Sequence, residues 1–296
     1  MKTTLLVIGL GAVILAATAW VRAAEPKGGW KPLPPDDVEK ISKALPEKAP
    51  AVPQTPRKLL VFWRCEGFAH ASIPYGNKLL ELLAQKTGAF SATLSTNYAD
   101  FSTENLKNYD GVLLNNTTHL KLNDTQKQAL LDFVNHGKGL IGIHAASDNF
   151  GDWPDGVALI GGQFDGHPWT GGGTWAFKLD DASHPLNISF DGKGFVLKDE
   201  IYQIKGPYAR TSHHVLISLD MGDARNQKVD QKKIHRADKD FAVAWIKRTG
   251  QGRTFYCSLG HNPEVYWNPA VVAHYLAGIQ YALGDLAVND APSAQP

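Results

Sequence analysis

The sequence predicts one α/β domain that carries an antiparallel extension. In the first half of the chain, short continuous apolar runs such as 58–63 alternate with amphipathic helical patterns such as the one that Pro74 opens. Apolar strands joined by helical crossovers are typical of a parallel sheet that is covered on both faces. After His144 the apolar runs follow one another without a long helix between them, which indicates antiparallel strands.

The elements can be assigned in chain order. The first half contains four predicted strands, at 58–63, 92–94, 111–114 and 139–143. Helical periodicity follows Pro74 and covers 124–136, where Asn123 or Asp124 is suited to cap the helix and Gly137 to end it. The second half contains predicted strands at 174–179, 195–197, 201–204 and 214–219, a hairpin of 241–247 with 253–259, and a closing helix at 268–283.

Composition excludes several classes of function. The 296 residues include 30 Lys and Arg and 29 Asp and Glu, so the formal net charge is +1 and neither nucleic acid nor an anionic membrane is expected as a partner. Two cysteines are too few for a disulfide scaffold or a cysteine-rich zinc module. The sequence also lacks a Walker loop and a Gly-x-Gly-x-x-Gly fingerprint, so no nucleotide cofactor is expected.

The chain ends differ in composition from the domain. Lys2 followed by the uncharged run 5–19 and small residues predicts a signal peptide at 1–23, with an uncleaved membrane anchor as the alternative. A proline-rich linker at 24–56, with one short helix at 36–44, leads to the domain at 57–287, and a flexible tail follows at 288–296. We therefore expect a periplasmic or secreted protein without a stable membrane span after processing.

The redox state of the two cysteines is open. Outside the cytoplasm Cys65 and Cys257 could form one disulfide, but two buried free thiols are equally compatible with the sequence.

Histidines stand at the ends of three predicted strands. His70 lies shortly after the first strand, His144 directly follows 139–143, and His261 follows the last hairpin strand. His167 lies in a segment that begins with two glycines. Because α/β sheets bind ligands at the carboxyl ends of their parallel strands, we expect these imidazoles to converge on one cleft.

Six motifs follow one another in order along the domain, at 67–70, 142–146, 161–168, 199–202, 243–245 and 252–261. Together they resemble the trehalose-utilisation (ThuA-like) family. The resemblance implies a flavodoxin-like parallel sheet of the class I glutamine-amidotransferase type. It also implies a role in carbohydrate catabolism, with 3-keto-glycosides formed by a partner sugar dehydrogenase as substrates.

The position of His144 bears on the chemistry. In the amidotransferase relatives, the corresponding turn presents a nucleophilic cysteine, so this chain is not expected to be a glutamine amidotransferase. A carbonyl at C3 of a sugar acidifies the neighbouring C–H, and a base can then form an enediolate that leads to isomerisation or glycosidic cleavage. We assign His144 and Glu200 as the acid–base pair, oriented by Tyr202. Substrate or oxyanion contacts are assigned to His70, His167, His261 and Trp169.

The same imidazoles are also candidate ligands of a divalent metal such as zinc. The candidates are His70, His144, His167 and His261. If a metal is bound, nitrogens of at least three histidines should lie within about 6 Å of one another. A non-catalytic sugar-binding or interaction module is the alternative function.

Overall fold

The structure, a computed structural model, describes residues 31–293. The predicted signal peptide and the last three residues lie outside the described residues. Six α-helices and eleven strands were assigned there, together with short 3-10 helices. The helices are α1 Pro35–Ala44, α2 Ile73–Thr87, α3 Thr103–Leu106, α4 Asp124–Asn135, α5 Pro154–Ile160 and α6 Pro269–Ala282.

The strands form one large sheet and one small one. They are β1 Lys58–Phe62, β2 Ser91–Ser95, β3 Gly111–Asn115, β4 Gly139–Ile143, β5 Gln163–Phe164, β6 Thr174–Leu179, β7 Phe195–Lys198, β8 Ile204–Lys205, β9 His214–Leu219, β10 Ala242–Thr249 and β11 Gly252–Cys257. The nine-stranded sheet has the order β2-β1-β3-β4-β11-β10-β9-β6-β7, and β5 pairs with β8 separately. The first five strands of this order, namely β2, β1, β3, β4 and β11, run parallel to one another. Each later neighbouring pair, from β11–β10 to β6–β7, is antiparallel.

The predicted α/β fold with an antiparallel extension is thus confirmed. One detail differs, because β11 pairs in parallel with β4 as well as antiparallel with β10. The sequence shows β11 only as half of a hairpin, since its parallel partner lies more than a hundred residues earlier in the chain. β11 therefore belongs to both halves of the sheet.

Burial on both faces explains why the parallel strands are continuously apolar. In β1, Leu59 and Val61 enter one hydrophobic core, whereas Leu60 and Phe62 enter the core on the opposite face. Successive side chains of a strand point to opposite faces, so a strand covered on both sides has no position left for a polar residue. The helices on the two faces supply that cover.

Most predicted elements are confirmed within one or two residues. The capping of α4 by Asn123 is confirmed as well, because its side chain accepts a hydrogen bond from Gln126 N and Gln126 returns one to the Asn123 backbone. The predicted strand at 201–204 is wrong for most of its length. Only Ile204 belongs to a strand, where it pairs with Phe164, and Ile201 forms an isolated bridge with Trp169.

Part of the predicted linker packs on the domain. Helix α1 was predicted at 36–44 and is confirmed, and its Ile41 is fully buried in the main core. Farther along, Gln280 of α6 exchanges two hydrogen bonds with the backbone of Ala51. These contacts are not those of a free tether. No helix within the described range is long and apolar enough to span a membrane.

The C-terminal segment also contacts the domain. The Ser293 amide donates to the carbonyl of His213, and Val215 N donates to Ser293 Oγ. A carboxylate upstream, Asp290, pairs with Arg248. The tail predicted from composition is therefore hydrogen-bonded to the sheet as far as residue 293, because the ends of β9 and β10 offer partners that composition does not reveal.

Truncating a side chain of α1 tests whether this helix is part of the folded unit. We expect Ile41→Ala to lower the free energy of unfolding by about 2 to 4 kcal/mol, because it removes buried methyl groups and leaves a cavity. Urea denaturation measures the change. Val52→Ala is the matched control, since Val52 is 88% exposed and its truncation should change stability little. Equal stability of Ile41→Ala and the wild type would mean that α1 is an independent tether.

Candidate functional site

Three histidines and one glutamate meet at the carboxyl ends of the parallel strands. One ligand atom from each of His70, His144, Glu200 and His261 lies within 4.8 Å of the other three. The first three are buried and His261 is half-buried. The predicted convergence is thus found for all three strand-end histidines.

Topology explains this convergence. His144 directly follows β4, His261 lies four residues after β11, and His70 lies between β1 and α2. Strands β1, β3, β4 and β11 are consecutive and parallel, so their carboxyl ends share one edge of the sheet. Residues far apart in the chain therefore become neighbours there.

His144 is held in one orientation by its backbone and its ring. Its φ of 48° lies in the left-handed region, which non-glycine residues rarely adopt. Residues in such conformations cluster at functional sites. Ring atom Nδ1 lies 2.6 Å from the Ser258 carbonyl oxygen, so Nδ1 carries the proton and donates it. The lone pair is then on Nε2, which has no hydrogen-bond partner and lies 3.7 Å from Glu200 Oε1.

The loop that carries His261 is fixed through Gly260. The Gly260 carbonyl accepts hydrogen bonds from Ser72 Oγ at 2.7 Å and from Tyr266 Oη at 3.0 Å. Its φ is 129°, and a Cβ added there would lie 2.7 Å from Tyr266 Oη. Only glycine fits this position without displacing the loop.

Asp199 joins that loop to Glu200. Its buried carboxylate accepts hydrogen bonds from Gly260 N at 2.7 Å and from Asn262 N at 2.8 Å. Because successive side chains in an extended chain point in opposite directions, Glu200 is directed to the histidines. Its Oε1 lies 3.2 Å from His261 Nδ1.

His167 and Tyr202 border the cluster. His167 Nδ1 lies 3.2 Å from Glu200 Oε2, whereas His144 contacts Oε1, and the His167 side chain is 48% exposed. His167 is therefore not in the close group, contrary to its prediction as a metal-ligand candidate. The Tyr202 ring lies 4.4 Å from the His144 ring, and its hydroxyl is 3.5 Å from His70 Nε2.

Burial and neighbouring charges set the protonation of the cluster. Burial, together with the charge of His261, lowers the pKa of His70 to about 4. Burial and the neighbouring His70 lower the pKa of His144 well below its usual value. Burial also disfavours protonated His261, but the adjacent Glu200 carboxylate outweighs it and raises the His261 pKa. His70 and His144 are thus neutral at pH 7, as metal ligands must be.

One predicted substrate residue is wrong. Trp169 is fully buried, its indole N–H donates to the Asn226 carbonyl, and its ring packs edge-on against Phe241. Its polar group is satisfied and its faces are covered, so the ring belongs to the core and has no surface left for a sugar. The sequence shows only that the residue is aromatic, and an aromatic ring suits the core as well as a sugar site.

Sequence reasoning missed the supporting residues. Asp199 and Glu200 are adjacent acids, and nothing in the sequence tells which one faces the cleft. Ser258, which orients His144, lies inside the motif at 252–261, but it acts through its backbone carbonyl, which no side-chain pattern reveals. The alternation of an extended chain could have separated the two acids, but only once the loop was known to be extended.

Both cysteines are free in the structure. Cys257 is fully buried, and burial raises its pKa to about 12. Burial also raises the pKa of Cys65, which donates from Sγ to the Asn116 carbonyl at 3.3 Å. Both groups are protonated at neutral pH, so neither thiol is prepared to act as a nucleophile.

Known families give one consistent match. A model of the family described as trehalose utilisation (ThuA) matches residues 58–282. No curated protein matches the chain significantly.

Solved structures share the fold at low identity. A ThuA-like protein from Bacteroides uniformis has a TM-score of 0.64 and 22% identity, and the match covers 79% of this chain and 94% of that protein. A ThuA-like protein from Parabacteroides merdae has a TM-score of 0.59 and 17% identity, and the match covers 81% of this chain and 95% of that protein. A protein from Salmonella typhimurium LT2, described as cytoplasmic, has a TM-score of 0.52 and 13% identity over 76% of this chain and 99% of its own. These likenesses show the common α/β fold.

Replacing the Asp199 carboxylate tests its role in the site. We expect Asp199→Asn to lower the free energy of unfolding by about 1 to 3 kcal/mol, because an amide N–H₂ would then face one of the two backbone N–H groups. Chemical denaturation measures this loss. The control is Asp191→Asn, since Asp191 is exposed and lies in a left-handed conformation that asparagine tolerates. If both variants are as stable as the wild type, Asp199 does not hold the loop.

Proposed function

This chain belongs to the trehalose-utilisation (ThuA) family, and we propose that it is a carbohydrate-degrading enzyme that acts on 3-keto-glycosides. The family description supports the carbohydrate context. One observation carries the enzymatic part of the proposal, namely the convergence of His70, His144, Glu200 and His261 within 4.8 Å. A structural role does not require three imidazoles and a carboxylate to point at one another.

The group fits a divalent metal. Three of its imidazole atoms, His70 Nδ1, His144 Nε2 and His261 Nδ1, are buried without a hydrogen-bond partner, which is costly unless a ligand satisfies them. The Ser258 carbonyl fixes the tautomer of His144, as outer-shell partners of metal-bound histidine do. Imidazole nitrogen and carboxylate oxygen together suit zinc and similar divalent ions. When bound, such an ion polarises a carbonyl and stabilises a neighbouring oxyanion.

Metal binding and proton transfer compete for the same lone pair. His144 is fully buried and its Nε2 is its only free nitrogen, so we assign it to metal binding with His70 and His261. Proton transfer then falls to Glu200. Its Oε1 faces the histidine group, and its Oε2, beside the half-exposed His167, is available to take or return a proton.

The proposed reaction uses the acidity that a C3 carbonyl gives to the C–H at C2. Glu200 removes that proton, and the electron pair of the C–H bond moves into an enediolate whose oxygen is negatively charged. Returning the proton to the other carbon isomerises the sugar. Alternatively, the C3 carbonyl re-forms, a C1–C2 double bond forms and the C1–O bond breaks, and the departing oxygen takes the proton from Glu200, so the glycoside is cleaved by elimination. A 3-keto-glycoside arises by oxidation at C3, so a sugar dehydrogenase must supply the substrate.

Loss of one metal ligand tests the site. We expect the purified protein to hold about one divalent ion per chain and His144→Ala to bind it at least tenfold more weakly, because a ligand is lost. Elemental analysis after dialysis against zinc measures this, and a 3-keto-glucoside assay with product identification measures turnover, which His144→Ala should abolish.

The matched control is the exposed His136→Ala, which should keep both metal and turnover. Sugar binding without turnover by the wild type would replace the enzyme with a binding module. Turnover without a bound metal would indicate that His144 and Glu200 act together as the acid–base pair.

We also propose that the protein is exported. The supporting residues are Lys2 and the uncharged run 5–19, which have the composition of a signal peptide. Mass spectrometry of the mature protein from its native host should find the N-terminus beyond residue 19. An intact Met1 on a protein recovered from the cytoplasm contradicts the proposal.

A further inference from the structure

We propose that Phe68 is a stacking platform for a pyranose ring of the substrate, an inference that rests on the proposed carbohydrate function. Four large apolar side chains are exposed among the described residues, namely Val52, Phe68, Ile188 and Val196. Isolated exposed apolar residues are common and need no explanation. Phe68 is the aromatic member of this set, and it is in contact with the histidine group.

Phe68 packs directly on a member of that group. Its ring centroid lies 4.8 Å from the His70 ring at an interplanar angle of 77°. His70 in turn makes edge-to-face contacts with His144 and His261 at 4.8 and 5.2 Å. The Phe68 side chain nevertheless remains 66% exposed. It therefore presents a broad apolar surface to solvent beside His70, one of the proposed metal ligands.

The backbone around Phe68 is held in place. The Phe68 carbonyl accepts a hydrogen bond from Thr118 Oγ1 at 2.9 Å, and Glu66 N donates to the Thr118 carbonyl at 2.9 Å. Gly67 lies against His119, where an added Cβ would be 2.7 Å from Nδ1. A ring presented on a backbone fixed from several sides loses little entropy when a ligand covers it.

A second aromatic surface, formed by Phe164 and Tyr202, also adjoins the group. The Phe164 ring is 4.3 Å from the Tyr202 ring and stacks on His167 at an angle of 17°. Ligand sites combine apolar and aromatic linings with a few polar groups that fix orientation. A pyranose ring has this dual character, because its C–H face is apolar and its hydroxyl edge is polar. Phe68 can cover the C–H face while the polar edge faces the imidazoles and Glu200.

The test compares sugar binding by Phe68→Ala, Phe68→Trp and the wild type. We expect Phe68→Ala to weaken binding of methyl glucopyranoside, measured by calorimetry on the zinc-loaded protein, by about 5- to 20-fold, because the ring contact is lost. Phe68→Trp should bind at least as tightly as the wild type. For a methyl 3-keto-glucopyranoside, KM should rise by a similar factor in Phe68→Ala.

Ile188→Ala is the matched control, since Ile188 is 65% exposed and lies in another part of the chain, and it should bind as the wild type does. Zinc content, measured on the same samples, shows whether weaker sugar binding comes from loss of the Phe68 ring or from loss of the bound metal. Binding of Phe68→Ala within twofold of the wild type overturns the inference, as does a wild type that binds neither sugar. A wild type that binds sugar through Phe68 but does not convert it contradicts the proposed reaction and leaves the platform standing.

Discussion

The buried Asp199 carboxylate holds the site together. It accepts the amides of Gly260 and Asn262, and so connects the loop after β7 to the loop after β11. Strand β7 lies at the outer edge of the sheet, far from β4 in the strand order. Two residues span at most about 7 Å, so Glu200 reaches the histidines because the end of β7 itself lies beside the loop after β11, where Asn262 Nδ2 also donates to the Lys198 carbonyl. Burial raises the pKa of Asp199 to about 7, and the two amides partly oppose this effect.

The histidine group illustrates how burial and chemistry constrain each other. A neutral imidazole buried beside two others avoids charge repulsion, but it leaves a nitrogen that requires a partner. The Ser258 carbonyl satisfies one nitrogen of His144 and thereby directs the other to the centre of the group. The arrangement is thus stable enough to fold and still has a free lone pair for a ligand.

Sequence reasoning succeeded where signals are local or repeated. The apolar run of β1 and the cap at Asn123 depend on neighbouring residues, and both were predicted. The convergence of His70, His144 and His261 followed from one rule applied to three strand ends. Asp199 and Trp169 show the limit, because their roles depend on which way a side chain faces, and that is decided by contacts between loops distant in sequence.

The contacts of α1 and of the C-terminal segment show that the packed unit extends beyond the region that matches the family. The family match covers 58–282, the part of the chain that relatives share. The packed unit is larger, because Ile41 lies in the core at one end and Ser293 is hydrogen-bonded to the sheet at the other. A fragment cut at the family boundaries would expose the groove that α1 fills, and poor solubility of such a fragment would reflect the cut itself.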